Sequence, residues 1–226
     1  MPQNSIFTYI TGEAEILREP LVRNDDTEYI CVTDNPNLRS KTWNVIYDDD
    51  IAHSNLSSRD RTALIKFNPF PYTTGRRIIV VDGSHQQVND CSAVFDECER
   101  HGLLLKQHPK KVNAAEELIR WVKGRGLPYE QLVKFSVMVD CAHLRIGYIP
   151  IYEGCCIGIN RTVQNQNLFA SVIQTLIKCG DSNSWFMSNQ MVLSFLVKYA
   201  KLNYKIFSPG LIFNRFRHNT WVKCNE

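Results

Sequence analysis

The stretch Arg77-Ile-Ile-Val-Val-Asp-Gly-Ser-His85 puts a lone carboxylate at the end of an apolar, β-branched run and follows it with glycine, a hydroxyl and an imidazole. Ile78 to Val81 suits a strand buried on both faces. Asp82 then falls at the carboxyl edge of a sheet, where open α/β folds place their ligands. Gly83 lets the backbone turn and lets a ligand approach. A carboxylate there could hold a divalent cation against phosphates, because hard cations prefer oxygen ligands. It could equally do no more than open a turn.

Other residues could supply complementary chemistry. Asp34 ends an earlier apolar run, Tyr29 to Thr33, and could accept a hydrogen bond from a base or ribose or make an Asx-turn. Arg59, Arg61 and Lys66 lie on one short helical stretch before the Asp82 strand. Arginine suits bidentate phosphate recognition and lysine acts as a point charge, although such a trio is also what a solvated helix face looks like. Glu153, between Tyr152 and Gly154, could be a catalytic or sugar-binding carboxylate or a loop anion. Asn189-Gln190 opens a helix, where amides could bind sugar hydroxyls and the helix N-terminus favours an anionic group. Of the six histidines, His85 follows the Asp82 turn, His108 precedes Pro109, and His218 lies in a basic, aromatic tail. An imidazole folding back from that tail could complete a metal site begun by Asp82.

The elements that must position these groups alternate from end to end. Ser5–Ile10, Tyr29–Thr33, Trp43–Tyr47, the run ending before Asp82, Leu103–Gln107, Cys155–Asn160 and Tyr204–Phe207 read as strands. Between them, helices are expected from Ser57 or Ser58 to Lys66, from Cys91 to His101 with Gly102 as terminator, and from Asn113 to Lys123. Further helices follow from Pro128 toward Ala142, over Leu168–Gly180, and over Ser188–Leu202. No repeat or linker interrupts the series, which predicts an α/β sandwich over residues 1–226 with a mostly parallel mixed sheet.

Composition narrows the class. The 226 residues are 44% hydrophobic and 22% charged, enough for one full α/β core. A net charge of +3 without a concentrated basic stripe gives no reason to expect a nucleic-acid partner. The eight cysteines form no CxxC pair and lie mostly in apolar stretches, so they read as reduced, buried thiols of a cytoplasmic protein. The N-terminus reads as a first strand and not a signal peptide, and no apolar run is long enough to span a membrane. The sequons at Asn55 and Asn160 read as accidental. GxxxxGK[ST] and GxGxxG loops are missing, so a nucleotide would have to be held some other way.

The ordered set Tyr29-Ile-Cys-Val-Thr-Asp-Asn35, Ser40-Lys-Thr-Trp43, Lys66-Phe-Asn-Pro69 and the strand into Asp82-Gly-Ser84 resembles the start of a GT-A type nucleotide-sugar glycosyltransferase. It is most similar to plant and bacterial glycosyltransferase-like domains once known only as a domain of unknown function. Gln107-His-Pro109, Glu116, Tyr152-Glu-Gly154 and Asn189-Gln190…Leu193-Ser-Phe195 follow in the same order, so the resemblance covers roughly residues 5 to 210. The chain is also similar to the N-terminal glycosyltransferase domain of chlorella-virus capsid-glycosylating proteins. That likeness implies one domain of a longer polypeptide, acting in viral capsid glycosylation in a host cytoplasm.

The resemblance implies a UDP-sugar donor and a glycan or glycoprotein acceptor. It places Thr8, Tyr9, Thr11, Asp34, Arg61, Lys66, Asp82 and Gly83 around the nucleotide sugar. It implies a Mn²⁺ or Mg²⁺ ion at a DXD element that is degenerate here, Asp82-Gly-Ser84, with Ser84 and His218 as candidates to complete the ligand set. The family's aspartate before glutamine is Asn189 in this chain, and an amide cannot accept the acceptor's proton. Asn189-Gln190 therefore resembles retaining enzymes, with Glu153 as the catalytic or acceptor-binding carboxylate. Two rivals remain at this level: a nucleotide-sugar or glycan-binding module without catalysis, and a sugar-nucleotide nucleotidyltransferase. The second normally needs a Gly-rich basic loop that Thr11-Gly12-Glu13 does not supply.

Overall fold

The structure is a computed structural model that describes residues 2–12, 15–109, 113–125, 129–179 and 189–216. Seven strands form the main sheet: β1 (Asn4–Ile10), β2 (Thr27–Thr33), β3 (Asn44–Tyr47), β4 (Arg77–Val81), β6 (Leu103–Gln107), β7 (Tyr152–Asn160) and β8 (Lys205–Ile206). Their order is β3-β2-β1-β4-β7-β6-β8. The pairs β1–β2, β1–β4, β2–β3 and β6–β8 are parallel, and β7 runs antiparallel to both β4 and β6. The expected mostly parallel mixed sheet is what the chain forms.

Strand alternation splits the apolar side chains between two faces. Phe7, Ile30, Val32, Ile78, Val80, Leu103, Leu105, Ile157 and Ile159 face one core, with helices α2 (Ser58–Lys66), α5 (Tyr129–Cys141), α6 (Val163–Cys179) and α7 (Asn189–Tyr199) packed on it. Ile6, Ile10, Cys31, Ile79, Val81, Leu104 and Cys156 face the other, covered by α3 (Ser92–His101), Trp43 and Phe213. At Gly158 α3 packs closely on the sheet, since a Cβ there would come within 2.7 Å of Cys98 Sγ. Two further α-helices, α1 (Asp49–Ala52) and α4 (Ala114–Arg125), are seen among the described residues.

Local chemistry explains most boundaries. Ser57 caps α2 by accepting from the Asp60 amide, and Gly102 ends α3 at φ 74°. The acidic run at Asp48 makes a short helix, with the Asp48 side chain accepting from the Ile51 amide. The expectation failed most clearly at β7. Tyr152-Glu-Gly154 belongs to the strand and not to a junction before it, because Tyr152 and Glu153 pair with Gln107 and Lys106 beyond a register shift. A two-stranded sheet of β5 (His85–Gln87) and β9 (Phe213–Arg215) was not foreseen either. It fastens the last described residues to the turn after Asp82, with the Phe216 amide donating to the Ser84 carbonyl at 2.8 Å. The seven described cysteines are free thiols, and all but Cys141 are buried.

Candidate functional site

The parallel strands β1, β2 and β4 deliver their carboxyl ends to one edge of the sheet, as does β6, and antiparallel β7 delivers its amino end there. Tyr9, Asp34, Asp82, Lys106 and Glu153 therefore share that edge. Asp82 directly follows β4, and its amide donates to the Cys155 carbonyl at 3.0 Å. The Lys66 ammonium, at the C-terminal end of α2, sits 2.9 Å from Asp82 Oδ1. The Tyr9 hydroxyl donates to the same oxygen. Burial would push the Asp82 carboxyl up, but the Lys66 charge and the Tyr9 hydrogen bond outweigh it and hold the carboxyl below its usual range. Burial and then the Asp82 charge push the Tyr9 phenol well above its usual value.

Two glycines make this arrangement possible. A Cβ on Gly154 would lie 2.9 Å from both Cε and Nζ of Lys66, so β7 leaves the space that the lysine fills. A Cβ on Gly83 would meet Glu15 Oε2, Ile10 Cδ1 and the Tyr9 carbonyl, all within 2.8 Å. Gly83 is needed for close approach. Glu15 is thereby packed against the Asp82 turn, where burial and the Asp82 charge raise its carboxyl to about 7 against the pull of Lys66 and Arg215. His85 is buried beside the turn, with its Nδ1 3.3 Å from the Ser84 hydroxyl. Burial lowers its imidazole, and Arg215, Lys106 and Lys66 lower it further against the Asp82 charge.

A second ion pair lies on the same edge. Glu153 and Lys106 are opposite each other on β7 and β6 and form a salt bridge, with His108 Nε2 3.8 Å from Glu153 Oε1. Burial would raise the Glu153 carboxyl, and the Lys106 hydrogen bond and charge lower it on balance. The Cys155 thiol donates to Glu153 at 3.4 Å, is raised by burial to about 12, and feels Asp82, Lys106 and Lys66. Cys155 thus joins the two centres, but a thiol so raised is no nucleophile.

Asp34 is tied into a third pair. Its carboxylate accepts from the Gly12 amide at 2.9 Å and meets Arg61 Nη1 at 2.9 Å, closing the loop after β1 onto α2. Thr11 strengthens the same junction, its hydroxyl 2.5 Å from that of Thr62. Beside Asn35 and Tyr47, toward the β3 side of this edge, a groove of about 290 Å³ is lined by Leu38, Arg39 and Trp43. Thr8 is elsewhere: its side chain is buried in the sheet and its hydroxyl has no hydrogen-bond partner. Asn189 and Gln190 are half-buried at the start of α7, and no described contact joins them to Asp82, Lys66 or Glu153. Helix α7 is locked to β7 one turn further on, where Ser194 Oγ accepts from the Tyr152 amide at 3.0 Å and donates to the Gln190 carbonyl at 2.6 Å. His218 lies outside the described residues.

No protein-family model matches the sequence, and no curated protein is similar to it. The solved structures to which it is similar include mouse xyloside xylosyltransferase 1 in its apo form. That match is 9% identical, covers 92% of this chain and 86% of that one, and has a TM-score of 0.47. The site is read from its own residues.

The described residues offer no cluster for a divalent cation. Among the described residues no three His, Cys, Asp or Glu side chains converge on a point, whereas Mn²⁺ and Mg²⁺ need several oxygen or imidazole ligands. Asp82 already holds a buried ammonium, and the Ser84 hydroxyl is turned to His85. Sequence reading missed Glu15, Lys106 and Arg215 as members of the site. A lysine directly after Leu103-Leu-Leu105 is a signal for Lys106, because a charge rarely ends so apolar a strand without a partner. Glu15 and Arg215 carry no local signal; long-range pairing brings them in.

Proposed function

We propose that this protein is a glycosyltransferase that moves a hexose or deoxyhexose from a UDP-sugar to a hydroxyl of a glycan or glycoprotein. The reading rests on one observation: Tyr9, Lys66, Asp82, Lys106, Glu153 and Arg215 gather at the carboxyl edge of a mixed α/β sheet, beside the Asp34–Arg61 pair. That edge is where such sheets bind ligands, and its chemistry suits a dianionic diphosphate flanked by hydroxyl-bearing groups.

In this reading the nucleoside occupies the Asp34 side, next to the groove by Asn35 and Tyr47, and the diphosphate faces Lys66. The bond between the anomeric carbon and the diphosphate oxygen breaks, and its electron pair leaves with UDP. The acceptor oxygen bonds to the anomeric carbon, and its proton passes to Glu153 or to the departing diphosphate. Lys66 and Lys106 stabilise charge as it builds on the leaving group. Asn189 and Gln190 are the amides assigned to the sugar, with retention of configuration.

A second reading is a nucleotide-sugar-binding module that performs no transfer. It is favoured by the fact that Asp34, Asp82 and Glu153 each have a basic partner. Incubation with a panel of UDP-sugars, with UDP release and thermal shift both measured, separates the two. Slow UDP release with stabilisation supports the transferase, and stabilisation with no release supports the binder. No response to any uridine nucleotide sinks both.

A further inference from the structure

The cation at Asp82 is part of the protein. Lys66 is almost fully buried, and its ammonium makes one described hydrogen bond, to Asp82 Oδ1, of the three that it can donate. It is well anchored: α2 ends on it, Gly154 makes room for it, and it bonds an Asp82 oxygen that Tyr9 also holds. Lys106 is fixed on the neighbouring strand by Glu153, with about a quarter of its side chain exposed. Arg215 is exposed on β9, close enough to Lys106, His85 and Glu15 to influence all three. Three cations thus approach one edge from α2, β6 and β9, two of them held in ion pairs and Arg215 carried there by the pairing of β9 with β5. Facing them are Asp82 and Glu153, each already in an ion pair, and Glu15, whose carboxyl holds its proton up to about 7. Burial and the neighbouring cations lower the His85 imidazole.

We infer that Lys66, Lys106 and Arg215 form a diphosphate subsite of protein cations, so that a nucleoside diphosphate binds here without a divalent metal. A metal ion placed on Asp82 Oδ1 would sit against the Lys66 ammonium, whereas a phosphate oxygen beside that ammonium would gain from it. The role of a metal on a leaving diphosphate is to offset charge, and a buried ammonium offers the same offset. The inference rests on the nucleotide-sugar reading, and the test separates the two.

The full chain is titrated with UDP and, separately, with uridine, by calorimetry and thermal shift, once in EDTA and once in millimolar Mn²⁺. UDP is expected to bind with the same affinity in both, within about twofold, and clearly tighter than uridine. Arg215→Ala and Lys106→Gln, both at partly exposed positions, are expected to weaken UDP about tenfold each and to leave uridine unchanged. The loss should shrink as salt is raised. UDP binding that appears only with Mn²⁺ and vanishes in EDTA overturns the inference and leaves the nucleotide reading standing. Metal-free UDP binding that neither substitution weakens also overturns it. If UDP binds in neither condition, the nucleotide-sugar reading itself falls.

Discussion

Replacing Lys66 by methionine keeps most of the side chain's volume and removes its charge, leaving Asp82 in the sheet edge with the Tyr9 hydroxyl as its remaining described side-chain hydrogen bond. The Lys66 side chain is 7% exposed and that of Asp82 20%. Removing one partner of a buried pair costs about 3–5 kcal/mol, and the partial exposure of Asp82 puts the expected loss near 3 kcal/mol. The sign with pH follows from the titration. In the native protein the Asp82 carboxyl is held below its unfolded value. Its contribution to stability is therefore present above about pH 4 and is lost as pH falls through the folded value. Without Lys66, burial raises the carboxyl, so the variant recovers as protonation removes the orphaned charge. Urea unfolding of both proteins at about pH 7.5 and at about pH 5 should show a large difference that narrows in acid. Adding Asp82→Asn to Lys66→Met should recover much of the loss, with a coupling of about 2–3 kcal/mol in the cycle. A loss under about 1 kcal/mol at the higher pH, or equal losses at both, would refute the buried pair as described.

Glu15→Gln tests the raised carboxyl at about 7. Because the native state keeps a proton that the unfolded state loses, stability falls as pH rises from about 4.5 to 7, and the amide variant lacks that slope. It should be more stable than the parent above pH 7 by about 1–3 kcal/mol, allowing for solvent, and no different near pH 4; equal slopes count against the assignment. Ser194→Ala leaves the Tyr152 amide without its acceptor and should cost about 1–3 kcal/mol in chemical unfolding. Gly154→Ala forces a Cβ against the end of Lys66 and should destabilise by about 1–3 kcal/mol, while the same change at exposed Gly210, with nothing within 4 Å, should cost far less. Among the described cysteines, a thiol reagent mapped by peptide mass should reach Cys141 in the native protein and the buried six only after denaturation.

The strand and helix frame was legible because apolar runs, caps and terminators are local. Ser57, Gly102 and the β-branched run before Asp82 each behave as their chemistry requires. Asp82 was also found at the sheet edge, since a strand's direction fixes which end it presents. Its partner was harder to see. Lys66 was noticed as part of a basic helix, but a sequence does not say which carboxylate a lysine will meet across a fold. Glu153 was read as a junction residue because glycine after it signals a break. The glycine is there to clear space for Lys66, and the strand runs straight through it. The small sheet that brings Arg215 to His85 escaped notice because three-residue strands carry almost no periodicity.

The antiparallel strand β7 joins residues 77–81 to residues 156–160, in the middle of the sheet. Pairing across so long a stretch of chain is slow, because the loop must be closed before the contact repays it. Until β7 arrives, β4 presents Ile78, Ile79, Val80 and Val81 along an open edge, a template for another unfinished copy. The ionic centre is caught in the same delay, since Gly154 and Cys155 arrive on β7. A polypeptide cut off before Tyr152 would therefore be doubly exposed, with a sticky apolar edge and a lysine–aspartate pair still in water. For this protein, the risk of aggregation during synthesis should be concentrated in the interval between completing β4 and releasing β7.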